Sequence, residues 1–220
     1  MNHKRFLIVG LGVLGRSLAR TLTENGCEVI AIDESQESIE QVKDELAVAI
    51  CCNATDDKAL KQIGAADVDA AVVCIGEGFE NAVLATAHLL DLGVKYVAAR
   101  ANSKVEESIL RRLGAHEIFS VESQVGKSLG DKLSNPSVLT ETSIGDGYQI
   151  LQWEASKKID GKVLKDMELP KHFGVQVMAL RRMPSKSMET PVAETVFSSG
   201  DQLFIVGHED KLKNFLGHWN

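Results

Sequence analysis

The chain has 220 residues, 44% hydrophobic and 25% charged, with a formal net charge of −7. This is the composition of an ordinary globular protein, long enough to bury two cores of unequal size. The acid excess argues against nucleic acid as a partner, because a phosphate backbone demands a basic face. No apolar run approaches the ~20 residues of a membrane-spanning helix.

The basic start, Met1-Asn2-His3-Lys4-Arg5, leads into only four apolar residues before a glycine, too few for a signal-peptide core. A cytoplasmic protein is expected. Cys27, Cys51, Cys52 and Cys74 lie beside apolar, strand-like residues, with no Cys-x-x-Cys and no paired histidines. They read as small buried hydrophobes rather than as metal ligands or a redox dithiol.

In chain order, residues 6–9 predict a strand, and Gly10-Leu11-Gly12-Val13-Leu14-Gly15 a glycine turn that opens a helix over 13–25. Leu14, Leu18 and Leu22 share one face of that helix. A second strand over 29–32 ends in Asp33, and Ser35 can cap a helix running through 46. A strand at 48–51, a polar turn at 53–55 and a short helix at 56–63 follow. The apolar run 70–75 predicts a strand buried on both faces. Then come helix 79–92, strand 96–99, helix 104–113 and strand 117–119. Six strands joined by helices give a Rossmann-like, doubly wound α/β fold with a parallel six-stranded sheet.

A connecting helix over 121–133 is stopped by Ser134-Asn135-Pro136. Beyond it, strands are expected at 149–153, 175–180 and 202–206, the last ended by Gly207. Helical turns are expected at 162–167, a loop or hairpin tip at 181–191, and a closing helix at 209–216. The expected organisation is a nucleotide-binding domain over 1–120, a connecting helix over 121–139 and a small α+β domain over 140–220.

The glycines are where a pyrophosphate would approach the backbone and the helix N-terminus. Asp33 stands where a dinucleotide fold places an acid for the ribose hydroxyls; the bland alternative is a cap for the next helix. Asn53-Ala54-Thr55 ends the third strand where an adenine would lie, and Ile75-Gly76 ends the fourth. Arg100 ends the fifth, within reach of phosphates or simply at the surface. Glu122 opens the connecting helix. It either holds a divalent cation against a polyphosphate or favours its own helix N-terminus. Gly126-Lys127-Ser128 imitates the end of a P-loop, but Val121 occupies the first glycine position, so it reads as helix.

The ordered set Gly10-Leu11-Gly12, Ala31-Ile32-Asp33, Asn53-Ala54-Thr55, Val73-Cys74-Ile75-Gly76, Arg100-Ala101-Asn102 and Leu113-Gly114-Ala115 resembles RCK domains, the regulators of potassium conductance. Gly161-Lys162-Val163-Leu164, Leu169, His172-Phe173-Gly174-Val175, Arg181-Arg182, Gly200-Asp201-Gln202-Leu203 and Val206-Gly207 resemble the C-terminal domain of the Trk/Ktr potassium-uptake regulators. The resemblance implies a non-enzymatic, cytoplasmic gating subunit at the inner face of the membrane, beneath a potassium channel or transporter. It implies homodimers formed through the connecting helix and assembled into an octameric ring. It also implies binding of ATP/ADP or NAD(H), Mg²⁺ or Ca²⁺ near Glu122, and cyclic di-AMP in an apolar C-terminal cleft that Val175, Val177 and the following strand would line.

One departure stands out: Ktr-type regulators carry an Arg between the second and third glycines, and here Val13 occupies that position. The candidate binding set is thus Gly10, Gly12, Val13, Leu14, Gly15, Asp33, Asn53, Ala54, Thr55, Ile75, Gly76 and Arg100, with Glu122 for a cation. The alternative functions are an NAD-dependent oxidoreductase and a regulatory subunit of a different transporter.

Overall fold

Short runs of Val, Ile, Leu and Ala form the central strands because their side chains are buried on both sides of the sheet. The computed structural model describes residues 4–220; Met1, Asn2 and His3, part of the basic N-terminal run, lie outside the described residues. Strands β1 (Arg5–Val9), β2 (Glu28–Asp33) and β3 (Val48–Cys51) alternate with helices α1 (Val13–Glu24) and α2 (Gln36–Glu40). Helix α3 (Asp57–Gln62) leads to β4 (Ala70–Val73), followed by α4 (Phe79–Asp91), β5 (Val97–Arg100), α5 (Lys104–Leu113) and β6 (Glu117–Phe119).

The strands pair in the order β3-β2-β1-β4-β5-β6, every pair parallel. Alternate residues feed two cores. Leu7, Val9, Ile30 and Ile32 meet Leu60, Leu89 and Leu110 on one face. Ile8, Val29 and Ala31 meet Leu14, Leu18 and Leu22 of α1 on the other. The Rossmann-like, doubly wound sheet is as expected. Its order reverses between β1 and β4, the place where such sheets leave a crevice.

One helix is shorter than expected. Ser35 caps α2 by accepting from the Ser38 N–H at 3.3 Å, but the helix stops at Glu40. Beyond it Val42 and Glu45 donate to the carbonyls three residues back, at 3.1 and 3.0 Å. Buried Ile39, Val42 and Leu46 keep the apolar spacing while the turns tighten.

Gly15 sets how closely α1 approaches β1. A Cβ at Gly15 would lie 1.8 Å from the Gly10 carbonyl oxygen, so any side chain must push the helix off the strand.

The chain divides into two compact units after Gln124. Helix α6 (Val121–Ser134) crosses that point and buries none of its residues; Val125, Leu129 and Leu133 are exposed at i, i+4 and i+8. Gly126-Lys127-Ser128 lies inside it as ordinary helix. The second unit holds β7 (Val138–Gly145), β8 (Tyr148–Glu154), α7 (Leu169–His172), β9 (Val175–Arg181), β10 (Met188–Glu189), β11 (Gln202–His208) and α8 (Glu209–Trp219). Its sheet runs β10-β9-β11-β8-β7, antiparallel throughout.

Three expectations change here. Strand β7 is an addition to the expected strands; Glu141, Thr142 and Ser143 are exposed on an edge strand that, among the described residues, pairs only with β8. Gly207 does not end its strand, which continues to His208. Its glycine is needed because a Cβ would lie 2.8 Å from a Val175 methyl on the neighbouring strand. Val175 and Val177 do not line an open cleft. They are buried in the unit's own core beside Trp153, Phe197 and Phe215, and Gln176 and Met178 carry the exposed face.

Arg182 and Asp201, far apart in sequence, meet at 2.8 Å. The buried Asp201 carboxylate also accepts from the Met183 and Ser198 N–H groups, each at 3.1 Å. A buried charge so fully hydrogen-bonded is tolerable where a lone one is not.

Gly15→Ala is expected to cost about 2 kcal/mol or more, the range for overpacking against an unyielding neighbour. Thermal unfolding checks it. An unchanged midpoint would mean that α1 is free to move off the strand.

Candidate functional site

The carboxyl ends of β1, β2, β4 and β5 surround a cleft of about 710 Å³. Its first wall is the glycine turn. Gly10 adopts φ +91°, open to glycine but costly for other residues. Gly12 has open space above it, so a ligand can reach the backbone. Gly12 is the N-cap of α1, with no side chain capping that end and no acid in the first turn. The helix therefore presents uncapped N–H groups and the positive end of its dipole to the cleft.

Asp33 ties the turn to the second strand. One carboxylate oxygen accepts from the Leu11 N–H at 2.6 Å and the other from the Ser35 N–H at 2.8 Å. It supports the start of α2, one of the two sequence readings of this acid, and it also lines the cleft. A carboxylate has about four lone-pair positions, so two remain for donors such as ribose hydroxyls.

Asn53 folds its side-chain oxygen over its own turn, accepting from the Thr55 N–H and hydroxyl at 2.8 Å each. Its amide N–H₂ makes no hydrogen bond among the described residues. Across the sheet, Arg100 pairs with Glu122; their side chains are 18% and 63% exposed. Arg100 lies against Gly76, where a Cβ would approach a guanidinium nitrogen to 2.7 Å. The Arg100 Nε is buried without a partner among the described residues. Asn102 donates to the Gly76 carbonyl at 2.7 Å and closes that corner.

Of the expected set, Gly10, Gly12, Val13, Leu14, Asp33, Asn53, Ala54, Thr55, Ile75, Gly76, Arg100 and Glu122 line the one cleft. Gly15 does not; it sits behind the turn and acts through packing. Val13 is 81% exposed at the mouth. Arg16, the nearest cation in sequence, is held by the Leu11 carbonyl at 2.7 Å. His116 lies outside the cleft, where its Nδ1 accepts from the Val97 N–H at 3.1 Å and its ring stacks on Tyr96.

The sequence reading passed over Ser17, Glu34, Cys52, Cys74, Glu77 and Asn81, which also line the cleft. The rule that ligands meet the carboxyl ends of the strands would have found those at the strand ends. Ser17 and Asn81 sit on helices facing the turn and carry no such signal.

The cysteines differ in environment. Cys74 is buried, which pushes its thiol up to about 12 despite an opposing pull from Arg100. Cys52 is also raised, first by burial and then by Cys51 and Asp56. Against the expectation that all four are buried, Cys27 and Cys52 are half-buried and Cys51 is exposed. Acids predominate around the cleft: among the described residues its lining holds Asp33, Glu34, Glu77 and Glu122 and a single guanidinium, that of Arg100. Among the described residues no three His, Cys, Asp or Glu side chains come together as a metal site.

A parallel doubly wound sheet, its glycine turn and an acid closing the second strand define a Rossmann-like protein of the dinucleotide-fold class. The TrkA-N domain family matches residues 6–121 and the TrkA-C domain family residues 154–217. The chain belongs to the TrkA-N domain family.

It is 29% identical over 213 residues to the Ktr system potassium uptake protein A of Vibrio alginolyticus, covering 97% of this chain and 96% of that one. It is 26% identical over 212 residues to the Ktr system potassium uptake protein C of Bacillus subtilis strain 168, covering 96% of each. Among solved structures it shares its fold with the GsuK channel bound to NAD (TM-score 0.67, 16% identity, all of this chain and 40% of that one). The GsuK RCK domain gives TM-score 0.58 at 21% identity over 98% of this chain and 46% of that one. The chain thus spans less than half the length of those two structures.

Iodoacetamide at about pH 8 is expected to label Cys51 in the folded protein and leave Cys74 unmodified, because only the thiolate reacts. Peptide mass mapping reads this out, and rapid native labelling of Cys74 would contradict its burial.

Proposed function

We propose that this chain is the nucleotide-sensing regulatory subunit of a membrane potassium transporter. One observation carries the reading: a preformed dinucleotide-type cleft in a chain that matches Ktr potassium uptake proteins end to end. In this reading the protein works at the inner face of the membrane through its transporter partner.

The cleft suits an adenosine ligand. The uncapped start of α1 and the Arg100 guanidinium would hold phosphates. Asp33 would take the ribose hydroxyls, where its charge would repel a 2′-phosphate. Asn53 and Thr55 would read the base. Four carboxylates against one guanidinium favour a dinucleotide pyrophosphate over the more highly charged triphosphate, and Val13 adds no charge at the mouth. NAD or NADH is therefore the expected ligand, ahead of ATP or ADP. A divalent cation, Mg²⁺ or Ca²⁺, would be held by Glu122 once a ligand phosphate draws Arg100 away from it.

Among the described residues the cleft's lining holds no His, Lys or Tyr, the usual acid–base partners of a dehydrogenase. That supports sensing rather than hydride transfer. Binding then acts by differential affinity for two arrangements of the assembly, with no bond broken. The exposed Val125, Leu129 and Leu133 stripe of α6 supports dimerisation through that helix, the step from which a ring is built.

NAD or NADH at about 100 times its dissociation constant should stabilise the protein by about 2.7 kcal/mol in a thermal-shift assay. Asp33→Ala should lose that ligand-dependent increment, measured against the ligand-free variant. A larger response to ATP or ADP would reverse the choice of nucleotide, and no response to any of the four would sink the sensor reading. Ca²⁺ is expected to add stability only with nucleotide present, and Glu122→Gln to abolish the addition.

A further inference from the structure

The two halves of the cleft differ in which polar groups are already engaged. A dinucleotide lies across the point where the strand order of such a sheet reverses. With Asp33 taking a ribose at the end of β2, the adenosine half falls over β3, β2 and β1. The second nucleoside then falls over the ends of β4 and β5. On the first side Asp33 already accepts from two backbone N–H groups, and the Asn53 oxygen closes its own turn.

On the second side the loop after β4 and the first turn of α4 bring Glu77 and Asn81 to the lining. Both are exposed, and neither side chain makes a hydrogen bond or ion pair among the described residues. Gly78, at φ +78°, turns the chain into α4. The Asn81 amide nitrogen folds back over that glycine, the residue after Glu77, and lies 3.5 Å from where a Cβ would stand. A carboxylate and a primary amide thus share one short loop with their hydrogen-bonding capacity unspent.

The other charges on this side cancel. Arg100 and Glu122 form an ion pair, which leaves Glu77 as the carboxylate without a cation. A pyrophosphate that takes Arg100 frees Glu122 and adds a second one. In either arrangement the lining of this half carries excess negative charge, which favours a guest that brings a positive one.

NAD and NADH share every group except the state of the nicotinamide ring. The ring carries a positive charge in the oxidised form and none in the reduced form. Its carboxamide matches the Asn81 amide donor for acceptor, and Ile75 and Val121 supply apolar lining for a flat ring.

Resting on the sensor reading, we propose that the cleft discriminates the oxidised cofactor from the reduced one. Glu77 selects the cationic nicotinamide ring, and Asn81 holds its carboxamide. The protein then responds to the ratio of NAD to NADH, and nothing is oxidised or reduced in the cleft.

Calorimetric titration of the full chain with NAD, NADH and ADP-ribose tests this, ADP-ribose being the part that both dinucleotides share. At low salt NAD should bind about threefold more tightly than NADH, the scale of one exposed ion pair. The ratio should shrink when salt is raised from about 0.02 to about 0.5 M, because exposed charges are screened. Glu77→Gln should bring the two affinities together by weakening NAD, and ADP-ribose binding would show that the variant is folded. Asn81→Ala should weaken both dinucleotides relative to ADP-ribose while keeping their ratio.

Equal binding of NAD and NADH, or tighter NADH, would overturn the proposal. So would an unchanged ratio in Glu77→Gln or an unchanged NAD affinity in Asn81→Ala. In each of these outcomes ADP-ribose binding leaves the sensor reading standing. If none of the three binds, the dinucleotide reading itself falls.

Discussion

The carboxylate of Asp33 fixes the geometry on which the cleft depends. By accepting from Leu11 at 2.6 Å and Ser35 at 2.8 Å, it joins the glycine turn after β1 to the loop after β2. Two backbone segments that must both face a ligand are thereby held by one side chain. The turn can lie there because Gly15 has no side chain to displace α1 from the Gly10 carbonyl. These two constraints hold the start of α1 over the cleft before any ligand is bound, so little ordering cost remains at the moment of binding.

The opposite wall is held differently. Arg100 is placed by β5, given room by Gly76 and occupied by Glu122 from the first turn of α6. Its guanidinium is therefore shared between the cleft and the helix that leaves the unit. In the proposed reading an anion entering the cleft would compete with Glu122 for the same donors, which would link ligand affinity to the anchoring of α6. The pair is too exposed on the Glu122 side to be a strong fastening, and that suits a contact meant to be exchanged.

How much of this could be read from residues alone depended on the strength of the local signal. The first sheet was legible because β1, β2 and β4 are apolar runs that end at Gly or Asp, and the glycine turn and Asp33 follow at dinucleotide spacing. The positions of Asn53, Gly76 and Arg100 followed from strand ends. Strand β7 escaped because an edge strand facing solvent needs no apolar alternation, and Thr140-Glu141-Thr142-Ser143 offers none. Gly207 was misread because a glycine that ends a strand and one that admits a neighbouring strand look the same in one dimension. Val175 and Val177 were placed on the wrong side because strand period alone does not say which face is inside. The Arg100–Glu122 pair has no sequence signature; it exists only once distant segments are brought together.

Helix α6 carries a consequence for how the protein exists in solution. All of its residues are at least partly exposed, and Gly126 and Gly130 lower its intrinsic helicity. A helix of this length held by propensity alone is marginal in water. Its last turns should then fray while the face of Val125, Leu129 and Leu133 is bare and gain order once that face is covered. The segment that links the two units would then be stiff when its apolar face is covered and pliable when it is bare, so its stiffness depends on something outside its own sequence.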